Sequence, residues 1–183
     1  MINFLFRPQT AADNPTINAL HAEVFGPGRF ARTAYRIREA SIQGPLLSLT
    51  VWDGEQLAGV IHLTAITVGG QRGAVLLGPI AIAPAYQKRG CGMRLVTDGM
   101  KAVAERGYAL VILVGDLPYY RKAGFQAVPV GQITLPGPAD PARLLACSLQ
   151  PGALAMYCGM VAADNEPPFA LDDERLATSL HGS

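Results

Sequence analysis

The chain has 183 residues, half of them apolar, so it is long enough for one domain with a buried core and too apolar to stay unfolded. A formal net charge of +1 excludes the positive excess that a general nucleic-acid or membrane-surface binder needs. Cys91, Cys147 and Cys158 are odd in number and lack metal-ligand spacing, which predicts free thiols, a reducing cytoplasmic setting and no metal.

Residues 2–6 are a short apolar run closed by Arg7-Pro8 and read as a first strand. Ile17, Leu20, Val24 and Phe25 recur at helical spacing within residues 10–25, and Gly26-Pro27-Gly28 stops that helix. Residues 30–40 read as a second helix, basic on one side through Arg32, Arg36 and Arg38; a solvated face is the ordinary reading, and steering of an acidic acceptor the functional one. A strand at 46–52 follows Pro45, turns at Asp53-Gly54, and returns as a strand at 56–68. Gly69-Gly70 turns again into a third antiparallel strand at 73–83. Gly78-Pro79 interrupts it, and because proline cannot donate to a ladder, the pair predicts a bulge or an edge.

The helix at 90–106 carries Leu95, Val96, Met100 and Val103 on one face, with Gly107 as its stop. Gly99 inside it costs about 1 kcal/mol relative to alanine, which predicts a close packing contact. A strand at 109–114 parallel to the one at 73–83 comes next, then a short helix at 117–123 with Asp116 as its N-cap. A Pro-rich loop near Pro136, Pro138 and Pro141 precedes a strand at 144–149, and Pro151-Gly152 leads into residues 153–162. Residues 1–163 are expected to form the domain and 164–183 a polar, loosely held tail. There is no signal-peptide pattern and no apolar run near the ~20 residues of a membrane span, so a cytoplasmic protein is expected.

The most informative stretch is Ile82-Ala83-Pro84-Ala85-Tyr86-Gln87-Lys88-Arg89-Gly90-Cys91-Gly92-Met93. A strand ending in proline, a basic loop with two glycines and a helix start together make a phosphate cradle. Glycines admit the backbone, unpaired N–H groups point outward, and the helix dipole adds positive potential. A Walker loop is excluded because no Gly-Lys-Ser/Thr run is present, and the dinucleotide fingerprint fails because Leu95 holds its third small position. What remains is Gln-x-x-Gly-x-Gly at Gln87, Gly90 and Gly92. A second motif lies about thirty residues on, Gly115-Asp116-Leu117-Pro118-Tyr119-Tyr120 followed by Gly124-Phe125.

These two motifs, in this order, resemble the GCN5-related N-acetyltransferase (GNAT) family, over roughly residues 2–130 with a looser match at 144–160. The Gly-Asp-x-x-Tyr-Tyr variant and Leu77-Gly78-Pro79 are similar to its YhbS-like branch. The resemblance implies an α/β fold: a mixed, mostly antiparallel sheet of about seven strands, flanked by helices and splayed between the fourth and fifth. It also implies acetyl-CoA as acyl donor, and a small-molecule or peptide amine as acceptor attacking directly in a ternary complex. The pyrophosphate is assigned to Gln87, Lys88, Arg89, Gly90, Cys91, Gly92 and Met93, and the pantetheine arm to Ile80, Ala81 and Ile82, with a backbone N–H such as that of Ile82 polarising the thioester. Tyr120 aligns with the tyrosine proposed as general acid. Many members place a glutamate on the strand before the loop, and this chain has no carboxylate in residues 74–83. Either a water chain deprotonates the amine or a side chain from elsewhere does, with Glu23 and Asp116 as the candidates, and a non-catalytic acyl-CoA-binding module is the alternative function. Cys91 sits where a helix start can lower a thiol pKa, but it is read as loop filler and not as a nucleophile. Pairing of two copies through edge strands or C-terminal segments is expected by analogy with the family.

Overall fold

The protein is described over residues 2–169 from a computed structural model; most of the expected tail lies outside the described residues. β1 (Phe4–Pro8) pairs with β2 (Leu47–Asp53) across the two N-terminal helices, and two hairpins follow, β2 with β3 (Gln56–Val68) and β3 with β4 (Gln71–Ile82), all antiparallel. The chain then crosses through helix α3 (Cys91–Glu105) to β5 (Leu110–Val114), which lies parallel to β4. Beyond β5 come β8 (Leu144–Ser148) and the short β6 (Gln126–Ala127). The main run is therefore β1-β2-β3-β4-β5-β8-β6, the seven strands expected. Two more are added: β9 (Gly159–Ala163) lies against the free edge of β3, and β7 (Ile133–Thr134) pairs with β9.

Helices cover both faces. α3 lays Leu95, Val96 and Val103, all fully buried, against Leu63, Val75 and Val111. On the opposite face α1 (Asn14–Phe25) packs Ile17 and Leu20 on Val60 and Ala81, and α2 (Thr33–Ala40) packs Ile37 near Ile66 and Leu76. β3 is buried on both faces and is accordingly apolar over most of its length, with His62 and Thr64 as its buried polar residues. Gly99 is explained by this packing, since a Cβ there would lie 3.0 Å from Leu63 Cδ1. The helices starting near residues 10 and 30 begin later than the sequence suggests: 3-10 turns at Ala11–Asp13 and Pro27–Ala31 precede α1 and α2.

The first residues of the expected tail are held in place. Asp164 is 4% exposed, its N–H donates to the Ala65 carbonyl at 3.0 Å, and its carboxylate accepts from Arg72 Nε at 2.7 Å. Phe169 stacks on Tyr108 with ring centroids 4.6 Å apart.

Between α1, α2 and β3 lies a buried aromatic cluster. The His21 ring meets His62 edge-on at 5.3 Å and Tyr35 at 5.6 Å. His62 Nδ1 shares a 2.7 Å hydrogen bond with Ser48 Oγ, while the Nε2 atoms of both histidines are buried with no hydrogen-bond partner among the described residues. Burial, with help from Arg38, pulls His21 down to about 4 and His62 down to about 3. Both are therefore neutral in the folded protein. The unfolded chain takes up protons below the ordinary histidine value of ~6.5 that the folded protein refuses. Stability is then fully present above that value and declines as pH falls toward the folded pKa values. Urea denaturation should show the protein less stable at pH 5 than at pH 7 by about 2 kcal/mol per histidine. A flat profile over that interval would mean that the histidines titrate in the folded protein as they do in the unfolded chain.

Candidate functional site

A 3-10 turn at Pro84–Tyr86 closes β4, and residues 87–90 form a tight loop into α3. Lys88 (φ +60°) and Gly90 (φ +82°) both adopt left-handed backbone, and Gly90 is the N-cap of α3. An L-residue at Gly90 would cost about 1–2 kcal/mol, although its Cβ would project into open space. The Arg94 N–H donates to the Gly90 carbonyl at 3.1 Å. The N–H groups of Cys91, Gly92 and Met93 thus have no acceptor inside the helix, and they line its positive end. Gly92 is small for a different reason: a Cβ there would sit 3.1 Å from the Tyr119 hydroxyl and 3.3 Å from Ile82 Cγ1.

Gln87, Lys88 and Arg89 are exposed on this loop, with Arg89 Nε folded back onto the Ala85 carbonyl at 3.1 Å. Cys91 turns the other way. It is 2% exposed, its Sγ lies 3.6 Å from the Tyr86 carbonyl, and burial pushes the thiol up. The helix start therefore does not activate Cys91, and only its backbone faces the loop.

The free edge of β4 follows from its register. β4 and β5 pair only at Ala74–Leu110, Val75–Val111 and Leu76–Ile112, after which they part. Just beyond, β4 carries one extra residue relative to β3, between Leu77 (opposite Leu63) and Ile80 (opposite Ile61). Gly78 and Pro79 occupy this bulge. Because the Ala83 N–H donates to Ala58 on β3, antiparallel alternation makes Ala81 bond to β3 as well and turns the N–H groups of Ile80 and Ile82 away from it. Before the bulge the phase is opposite: the Asp164 N–H occupies Ala65, so Ile66 faces β4 and pairs with Ala74. The inserted residue thus sets which amides point into the splay. Ala81, grouped in the sequence with its neighbours, gives its N–H to β3 and its side chain to the α1 face.

The second motif stands across the gap. α4 (Leu117–Tyr120) begins after Gly115, where a Cβ would collide with the Tyr120 ring, so this glycine allows the ring to lie against the β5 terminus. Tyr120 is partly buried, packed edge-on against Tyr119 at 4.9 Å and Phe125 at 5.9 Å. Burial, then Tyr119 and Asp116, push its hydroxyl up to about 12. A cavity of about 710 Å³ runs along the loop between Ile82, Lys88, Gly90, Gly92 and Tyr119. Another, of about 370 Å³, is lined by Tyr35, Gly78, Pro79, Leu113 and Val114. Ile80 and Tyr120 line both.

Neither candidate base reaches this junction. Glu23 is exposed and lines neither cavity. Asp116 holds the N-cap position of α4 without making the capping bond and instead pairs with Arg143 at 3.3 Å, largely in solvent. His62 lines a separate cavity beside Ser48 and Arg38. The wall formed by Leu135, Pro138, Asp140 and Arg143 carried no motif and was not legible in the sequence. No described helix is long and apolar enough to cross a membrane, and among the described residues no group of three or more His, Cys, Asp or Glu is placed to hold a metal ion.

The profile of the acetyltransferase (GNAT) domain matches residues 6–128. The uncharacterized N-acetyltransferase YhbS of Escherichia coli (strain K12) is 30% identical over 124 residues, spanning 67% of this chain and 73% of that protein. The uncharacterized N-acetyltransferase YjhQ of the same strain is 28% identical over 127 residues, 68% and 70% of the two chains. Among solved structures, that of Escherichia coli YhbS in complex with CoA superposes with a TM-score of 0.78 at 26% identity, covering 90% of this chain and 91% of that one. A GNAT family acetyltransferase from Brucella melitensis in complex with acetyl-CoA gives a TM-score of 0.69 at 25% identity, covering 90% and 97%. With a splayed sheet, a loop of free amides and a family profile over most of its length, the chain belongs to the GNAT acetyltransferase family.

Proposed function

We propose that this protein, as a member of the YhbS-like branch, is an N-acetyltransferase moving an acetyl group from acetyl-CoA to a primary amine by direct attack in a ternary complex. The observation that carries the reading is the meeting of two cavities at Ile80 and Tyr120, inside the gap where β4 has lost its neighbour. The larger cavity fits the donor. Its loop offers free amides at Cys91, Gly92 and Met93 and positive charge at Lys88 and Arg89 for a pyrophosphate. The open edge of β4 offers Ile80 and Ile82 to an extended arm as a strand would. When bound, acetyl-CoA supplies an activated acyl carbon and a thiolate leaving group.

The Ile82 N–H is the donor we place on the carbonyl oxygen of the thioester, where negative charge grows as the amine attacks; such a donor is worth about 3 kcal/mol. Tyr120 has a narrower role than a full acid. With its hydroxyl at about 12 and a thiol near ~8.5, complete proton transfer to the thiolate is uphill by roughly 5 kcal/mol. Tyr120 therefore donates a hydrogen bond to the departing sulfur and remains protonated. That no carboxylate among the described residues lines both cavities favours one alternative, a module that binds acyl-CoA without turnover. Substitution of Tyr120 separates the two.

Tyr120→Phe should slow acyl transfer about 10²-fold while leaving acetyl-CoA affinity intact. In the wild type, a group at about 12 imposes no loss of rate on the basic side up to pH 10. Unchanged turnover in the variant would remove Tyr120 from the chemistry. Gly90→Ala should weaken acetyl-CoA about tenfold in calorimetric titration, through backbone strain and not a steric clash with the ligand; wild-type affinity would take the loop out of the binding site.

A further inference from the structure

The smaller cavity has an uneven distribution of charge. Its inner wall is apolar, made by Leu76, Leu77, Pro79, Leu113 and Val114. Arg32 and Arg143 line it too. Arg32 is exposed and stacks over the Phe25 ring at 4.8 Å, which holds the guanidinium beside the cavity. Arg36 Nη1 lies 3.7 Å from where Gly137 would carry a Cβ, so it reaches the loop that bears Pro138. Tyr35, on the same wall, feels Arg38, Arg29 and Arg32 against the single opposing charge of Glu39. Among the described residues the one carboxylate in the lining, Asp140, accepts the Ala142 N–H at 2.9 Å as the cap of a 3-10 turn. Asp116, the partner of Arg143, is 76% exposed and well screened.

We propose that the acceptor is a primary amine carrying a carboxylate on an apolar body, as an aliphatic or aromatic amino acid does, and that Arg32 and Arg143 select it. This rests on the acetyltransferase reading above. A guanidinium pairs with a carboxylate through two parallel, charge-assisted bonds, which a polyamine or an uncharged amine cannot use. The same arginines help where a base is lacking. A positive field disfavours an ammonium ion, so it raises the fraction of free amine at the junction. The balance is simple: the amine nitrogen bonds to the acyl carbon, the carbon–sulfur bond breaks, one proton leaves the nitrogen and one is taken up by the thiolate. The products are the amide and CoA thiol.

The test is thiol release from acetyl-CoA with matched pairs: leucine and phenylalanine, their carboxamides, and the amines lacking the carboxylate, with a diamine as cationic control. The carboxamides are weaker bases and offer more free amine, which works against the expected order. The acids should nevertheless give kcat/KM about tenfold or more above either partner. Arg32→Gln and Arg143→Gln should raise KM for the acids and bring the acid-to-amide ratio toward unity, with acetyl-CoA affinity unchanged by calorimetry. Equal rates across a pair, preference for the diamine, or no turnover of any acid would overturn the inference. Failure to bind acetyl-CoA would instead bring down the acetyltransferase reading, so the two failures are told apart.

Discussion

The parting of β4 from β5 after Leu76 and Ile112 is the constraint on which the site depends. A parallel pair that continued would satisfy every backbone group on both strands and leave nothing for a ligand. Instead β4 runs on to Ile82 held by β3 alone, and the bulge at Gly78 and Pro79 shifts its alternation by one residue. That shift turns the Ile80 and Ile82 amides into the gap, and it also moves their side chains onto the α3 face beside Val75 and Leu77. One inserted residue thus decides both the hydrogen-bonding edge and the packing. The helix start at Gly90 and the tyrosines of α4 are then placed around the opening by the lengths of the elements that follow.

Burial governs the electrostatics of the site. Tyr120 is sufficiently desolvated that it stays a donor, and Cys91, which a reading of the helix dipole alone would activate, is instead an inert core thiol. Around the smaller cavity the charges among the described lining residues are mainly arginines, Arg32 and Arg143 against Asp140, so the local field is positive. His21 and His62 are kept neutral by the same desolvation, away from the junction.

Much of this was legible in the sequence because the motifs encode local backbone geometry. Gly99 needs a close approach to Leu63 and Gly78-Pro79 a break in the ladder, and each has a signature at single-residue resolution, whereas Gly90, read as admitting a phosphate, is required by its left-handed backbone. The order of the strands and the splay followed from the resemblance. Long-range placement was not legible. That Ala81 bonds to β3 while its neighbours face the gap depends on the register between two strands, and nothing in residues 80–82 reveals it. The reason for Gly115 is a ring five residues later, and Arg143 reaches the cavity from a loop without a motif. The direction of the Cys91 thiol likewise depends on helix packing and not on its position at a helix start.

Amide hydrogen exchange at residue resolution, with and without acetyl-CoA, tests the central claim most directly. The account predicts that Ala81 and Ala83 are protected in the free protein, whereas Ile80 and Ile82 exchange readily and become protected, together with Cys91, Gly92 and Met93, when acetyl-CoA binds. Protection gained at Ala81, or none gained at Ile80 and Ile82, would contradict it.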